Sequence, residues 1–190
     1  MATEYELKYG ATEEALAAID DAYPGKPTRY QMQTTYYDTP SRALSERHIT
    51  LRRRMENDIS VCTLKAPAKL GRAEFELECD RIENAIPEFC KLSGVDPAIF
   101  SEGVTPVCGA RFTRLARTLT LPGGEVELAL DKGVLLGGGK ELPLCEVEVE
   151  LKKGEPFAAA AFAAQLATVY GLQPEPKSKF ARAVALTKGE

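Results

Sequence analysis

The sequence predicts an α+β fold, an antiparallel sheet of eight strands curled around something charged and flanked by helices. Two observations predict it. Charged and aliphatic residues alternate along one stretch after another, and several of these stretches are joined by short links of turn chemistry. A β-strand points successive side chains to opposite faces, so alternation at period two separates a polar face from an apolar one. Glu4, Glu6 and Lys8 alternate with Tyr5, Leu7 and Tyr9. Arg52 and Arg54 follow the same spacing, as do Arg72, Glu74, Glu76 and Glu78 against Ala73, Phe75, Leu77 and Cys79. Glu127 and Asp131 alternate with Val126, Leu128 and Leu130, and Glu146, Glu148 and Glu150 with Cys145, Val147, Val149 and Leu151. One such strand is an ordinary solvated face; five of them suggest a polar surface wrapped around a charged content.

The strands are expected over 3–9, 30–38, 47–56, 59–67, 72–80, 111–121, 124–135 and 142–152. Asn57-Asp58 and Pro122-Gly123-Gly124 are turn sequences, and links this short favour antiparallel hairpins. Thr12 is placed to cap a helix over 13–21, with Glu13 and Glu14 suiting its positive end. A second helical region lies within 84–101, interrupted by Pro87, Gly94 and Pro97. A third runs from Pro156 through Phe157, Phe162, Leu166 and Val169 to a stop at Gly171, and a short helix is expected over 178–187. Gly137-Gly138-Gly139 reads as a flexible loop before the eighth strand. It precedes Lys140-Glu141 and lacks the Lys-Ser/Thr of a phosphate-binding P-loop.

A chain of 190 residues fits one domain, 1–190, and its 44% hydrophobic and 27% charged content is that of a globular protein. The net charge of −4 argues against a nucleic-acid surface, which is normally basic. The five cysteines show no CxxC pair and no neighbouring His, which fits reduced thiols in a cytoplasmic protein better than disulfides or zinc. The first residues enter a charged strand at once and no apolar run approaches a membrane span, so no membrane partner is expected.

The charged faces suggest their own chemistry. Carboxylates recur at two-residue spacing as Glu4/Glu6, Glu74/Glu76 and Glu146/Glu148, where like charges repel unless cations intervene. The basic residues Lys8, Arg52, Arg54, Lys65, Arg114 and Lys179 come from well-separated segments, as a convergent anion site requires. Hard oxygen ligands hold Mg²⁺ or Mn²⁺, and arginines clasp phosphate oxygens in bidentate fashion. A tunnel lined both ways suits a chain of phosphates with its metal ions. Of the three arginines on the sixth strand, periodicity selects Arg114 for the polar face and puts Arg117 on the aliphatic side. Arg53 falls outside by the same parity. His48, the only histidine, reads as a solvated or capping residue.

Glu4-Tyr5-Glu6-Leu7-Lys8 resembles the E-x-E-x-K signature of the CYTH superfamily, the triphosphate tunnel metalloenzymes. Further motifs follow in family order: Tyr36-Tyr37-Asp38-Thr39-Pro40, Leu51-Arg52-Arg53-Arg54, Thr63-Leu64-Lys65 and Arg72-x-Glu74-x-Glu76. Then come Glu127-Leu128-Ala129-Leu130-Asp131-x-Gly133, Cys145 to Leu151, and Ser178-Lys179-x-x-Arg182. The resemblance is greatest to bacterial members that hydrolyse inorganic triphosphate. It implies a closed eight-stranded antiparallel β-barrel and metal-dependent attack of water on a triphosphate. A C-terminal helical CHAD domain, frequent in such proteins, is not expected after the Ser-Lys motif.

Carried over by position, the resemblance makes Glu4, Glu6, Glu146 and Glu148 metal ligands, with Glu74, Glu76, Glu127 and Asp131 as further candidates. Lys8, Arg52, Arg54, Lys65, Arg72, Arg114, Lys179 and Arg182 become the phosphate clamp. Glu4, Glu6 and Lys8 take the catalytic positions, Lys8 as a proton acceptor if its pKa is depressed. Ala116 stands where relatives often have a second basic residue. The expected partner is a small-molecule triphosphate, with a homodimer as an open possibility. Thiamine triphosphatase, class IV adenylyl cyclase and nucleoside triphosphatase activities share nearly all these residues. A non-catalytic polyphosphate- or nucleotide-binding module would need the cations without the full acid set, and a lipocalin-like carrier would need an apolar lumen.

Overall fold

The computed structural model describes residues 5–68 and 71–189. Glu4 lies outside the described residues. The described residues form one antiparallel sheet of nine strands: β1 (Glu6–Gly10), β2 (Thr28–Asp38), β3 (Thr50–Glu56), β4 (Ile59–Pro67), β5 (Arg72–Glu78), β6 (Thr105–Leu121), β7 (Gly124–Gly137), β8 (Lys140–Gly154) and β9 (Gln173–Pro174). Their spatial order is β5-β4-β3-β2-β6-β7-β8-β1-β9, a curled antiparallel barrel whose hydrogen bonding stops at β5 and β9. The ninth strand is a two-residue addition beside β1.

Register fixes which side chains share a face. Lys8 lies opposite Glu148, and Arg114 lies between Tyr30 and Asp131. Arg54 is opposite Thr34, Arg52 opposite Tyr36, and Lys65 opposite Glu74. All these residues fall on one face, as the period-two reading requires.

The other face is apolar and covered by helices. α1 (Glu13–Ala22) and α4 (Pro156–Tyr170) pack Leu16, Ile19, Phe162 and Leu166 on Val126, Leu128, Val147 and Val149. α2 (Ala43–Glu46) and α3 (Ile82–Ser93) pack Leu44, Ile82 and Phe89 on Leu51 and Leu64. Thr12 caps α1 by accepting from the Ala15 N–H, as expected. Helix α3 continues through Pro87, and a separate 3-10 turn covers Pro97–Phe100, which divides the region predicted over 84–101.

The polar face carries a helix of its own. α5 (Lys179–Lys188) sets Ala183 against Met32, Ala110, Phe112, Leu135 and Leu144, so part of the inner surface is apolar. The glycine run makes this packing possible. Gly138 and Gly139, both at positive φ, form the two-residue turn between β7 and β8 where a flexible loop was expected. A Cβ on Gly137 would come within 2.2 Å of the Ala183 carbonyl oxygen.

Candidate functional site

Three carboxylates from two neighbouring strands form the buried centre of the polar face. Asp131 and Glu146 are wholly buried and Glu148 nearly so, and each offers an oxygen within 4.8 Å of the others. Their charge is met from two sides. Arg114 on β6 donates from Nε and Nη2 to the two oxygens of Asp131, both at 2.7 Å, and also reaches Glu148. Lys179, the first residue of α5, bonds Glu148 at 2.5 Å and Asp131 at 2.9 Å, and contacts Glu146 as well. Ser178 holds the start of that helix by accepting from the Ala181 N–H. Arg182, one turn further on, pairs with Glu146 and, at 3.5 Å, with Glu175.

This mutual arrangement bears on the protonation of Glu148, Lys179 and Lys8. Burial works to raise the Glu148 carboxyl, but Lys179 and Arg114 overcome it and hold its pKa far below the usual carboxylate range. Burial works to lower Lys179, and Glu148, Asp131 and Glu146 more than reverse it. Lys8 behaves differently. Burial lowers its pKa, Glu146 and Glu148 oppose that shift, and Lys179 and Arg182 add to it. Its Nζ donates to the Lys177 carbonyl at 2.7 Å.

A second group lies across the curled face. Arg52 is 3.5 Å from both Glu74 and Glu76, and Lys65 is 2.8 Å from Glu74. Thr63 donates to Glu76 at 3.1 Å, and Arg54 pairs with Glu56 at 3.2 Å. Tyr36 links this group to the first. Its ring packs on Phe180 of α5, with centroids 5.1 Å apart. Burial raises its phenol pKa, while Arg52, Lys179 and Lys65 together pull it back, so cations from both groups act on one side chain. The Nε atoms of Arg52, Arg54 and Arg182 are buried with no hydrogen-bond partner. Such donors are expected to find an acceptor, and an oxyanion is the natural one.

Other expected site residues sit further out. Arg72 donates to the His48 and Lys65 carbonyls, at 3.0 and 3.3 Å, and to the Thr50 hydroxyl at 3.0 Å, an exposed position at the sheet edge. Glu127 is half-buried between Thr118 and Glu150 in register, and Glu6 lies opposite Glu150 and within electrostatic range of Arg114. Arg117 points to the other face and pairs with Asp20 of α1 at 2.5 Å, as parity predicts. Asp38 and Thr39 of the Tyr-Tyr-Asp-Thr-Pro motif have a local job. The Asp38 carboxylate accepts from the backbone N–H groups of Thr39, Leu44 and Ser45, and Thr39 Oγ1 accepts from Ala43, which together anchor α2.

Two participants escaped the sequence reading. Phe112 lies under two cations, with Lys179 Nζ 5.3 Å and the Arg114 guanidinium 5.8 Å from its centroid. Its two-residue spacing from Arg114 carried that signal. Glu175 braces Arg182 and accepts from the Lys177 N–H at 2.9 Å, and its only signal was proximity to the Ser-Lys motif.

The three carboxylates fit a hard divalent cation, since they supply clustered oxygen donors with little access to water. No helix among the described residues is long and apolar enough to cross a membrane, and all five cysteines are free thiols.

Residues 2–184 match the model of the CYTH domain. The inorganic triphosphatase of Haemophilus influenzae is 32% identical over 127 residues, 63% of this chain and 36% of its own length. The chain therefore spans little more than a third of that curated relative. Among solved structures, HpAC1 of Hippeastrum, described as a candidate adenylyl cyclase with a dominant triphosphatase activity, superposes with a TM-score of 0.71 at 19% identity, covering 98% of this chain and 96% of that one. The PH1819 protein of Pyrococcus horikoshii OT3 gives a TM-score of 0.64 at 21% identity, over 99% and 100% of the two chains.

Proposed function

We propose that this chain, which belongs to the CYTH domain family, hydrolyses inorganic triphosphate to pyrophosphate and phosphate with a divalent metal ion. The observation that carries this reading is the meeting of two sets of charges on one concave face. A buried triad of carboxylates, Asp131, Glu146 and Glu148, shares that face with cations drawn from four separate elements, β3, β4, β6 and α5. The acids suit Mg²⁺ or Mn²⁺, with Glu6 and Glu127 as flanking ligands. When bound, the ion would neutralise phosphate charge and lower the pKa of a coordinated water.

The chain's own residues supply positioning and charge. Arg52, Arg54 and Lys65 bind and orient the phosphate chain from one side, with Arg114, Lys179 and Arg182 on the other. Lys179 and Arg182 pair with the acids, so a metal ion held by those acids would free both cations to face the phosphate chain. Lys8 has a depressed pKa and is therefore better suited than an ordinary lysine to hold and release a proton at Nζ. Water attacks a terminal phosphorus, the bridging P–O bond breaks, and pyrophosphate leaves.

A phosphate-release assay across inorganic triphosphate, pyrophosphate, ATP and thiamine triphosphate, with Mg²⁺ and with Mn²⁺, tests the reading. Inorganic triphosphate should be the best substrate and pyrophosphate a poor one, because a shorter anion leaves buried cations unpaired. If ATP is much better than bare triphosphate, a nucleotidase or cyclase takes its place. The partner in this reading is a small anion, and the free thiols suit a cytoplasmic setting.

A further inference from the structure

Thr34 is 3% exposed, and its Oγ1 is buried with no hydrogen-bond partner. It stands on the polar face of β2, opposite Arg54 on one side and Ala110 on the other. Tyr36, two residues along the same face, lies opposite Arg52. Arg52 and Arg54 each keep a buried, unpartnered Nε, so three unmet donors occupy two successive same-face positions of the β2–β3 ladder, with the Thr35/Arg53 pair between them on the other face. A hydroxyl withdrawn from water without an acceptor works against folding, and valine would fill the same space without that cost.

The neighbours of this hydroxyl indicate what would complete it. Two guanidinium groups beside it attract an anion and repel a cation. An anion with several oxygens can satisfy a planar guanidinium and a hydroxyl at once, as a phosphate does. Arg52 and Arg54 retain 13% and 12% side-chain exposure, which leaves an approach from their side. We propose that Thr34 donates a hydrogen bond to a phosphate oxygen of the substrate held by Arg52 and Arg54, and so sets affinity for the phosphate chain. This rests on the triphosphatase reading above and adds a neutral donor to a clamp otherwise built of cations. A neutral donor contributes directional bonding without further charge, so it acts on binding and position.

The test compares the full chain with Thr34→Val and Thr34→Ser, using inorganic triphosphate with Mg²⁺ and following KM, kcat and the melting midpoint. Thr34→Val should raise KM about tenfold with kcat changed less than about threefold, the loss of one bond to a charged partner. Its melting midpoint without substrate should be unchanged or higher, because the buried hydroxyl is gone. Thr34→Ser, which restores the donor, should return KM to within about threefold of wild type. An unchanged KM in Thr34→Val would overturn the inference, as would a lowered melting midpoint, which would mean the hydroxyl is satisfied within the free protein. An active wild type with an indifferent Thr34→Val removes this inference alone. A wild type inert toward triphosphate removes both it and the function on which it rests.

Discussion

Arg114 holds Asp131 through both ends of its fork, Nε to Oδ1 and Nη2 to Oδ2 at 2.7 Å each, across adjacent strands in register. The bond is bidentate, and the carboxylate is wholly buried. Lys at this position would keep the charge but lose the fork, so the exchange is not conservative. Arg114→Ala leaves Asp131 and Glu148 short of a cation, and removing one partner of a buried pair costs about 3–5 kcal/mol. Urea unfolding followed by circular dichroism should show that loss, with Arg114→Lys in between.

Glu146 is the acid shared by Lys179 and Arg182, and it is wholly buried. Glu146→Gln keeps the shape and removes one of three charges available to a divalent ion. The Mg²⁺ concentration for half-maximal triphosphate hydrolysis should rise about tenfold or more, and the maximal rate should fall with it. Normal turnover at low Mg²⁺ would take Glu146 out of the metal centre.

Much of this site was legible because strand parity is strict. Alternation alone separated Arg114 from Arg117 and put Arg52, Arg54, Glu146 and Glu148 on one surface, as the register has them. It did not reveal which polar residues would be deeply buried, since period two gives a face and not a depth. The start of β6 was missed because Thr105-Pro106 and Gly109 look irregular in sequence, yet the strand begins at Thr105 and tolerates a register shift beside Pro106. Helix α2 was invisible because it is four residues long and depends on Asp38, a cap that precedes it by several positions. The placement of α5 on the inner face depends on glycines in a distant hairpin, a relationship no local pattern encodes.

Two thiols give a pH dependence of known sign. Burial pushes Cys62 up to about 11 and Cys108 up to about 12. An unfolded cysteine titrates near about 8.5. The folded state thus keeps protons that the unfolded chain gives up, so stability is full below that pH and declines as pH rises toward 11 and 12. At pH 8 both thiols should resist iodoacetamide in the folded protein and react once urea unfolds it. Rapid alkylation of Cys108 in the native state would contradict its placement.

The last prediction separates a glycine needed for space from one needed for backbone conformation. Gly137 ends β7 where α5 crosses, and an added Cβ would meet the Ala183 carbonyl oxygen at 2.2 Å and Leu186 Cβ at 3.1 Å. Neither is the loose end of a flexible side chain, so Gly137→Ala should push the helix off the sheet. Overpacking of this kind costs about 1–3 kcal/mol. Because α5 begins with Lys179 and carries Arg182, the same shift should disturb their grip on Glu146 and Glu148 and lower triphosphate turnover beyond what the stability loss explains. Gly139 is the contrast. It lies two residues on at φ +75° with nothing within 4 Å of an added Cβ, so Gly139→Ala strains only the turn, at about 1 kcal/mol. That variant should lose some stability and keep its turnover at a temperature where both variants are folded. Equal losses of turnover in the two would mean that the seating of α5 on the hairpin does not govern the site.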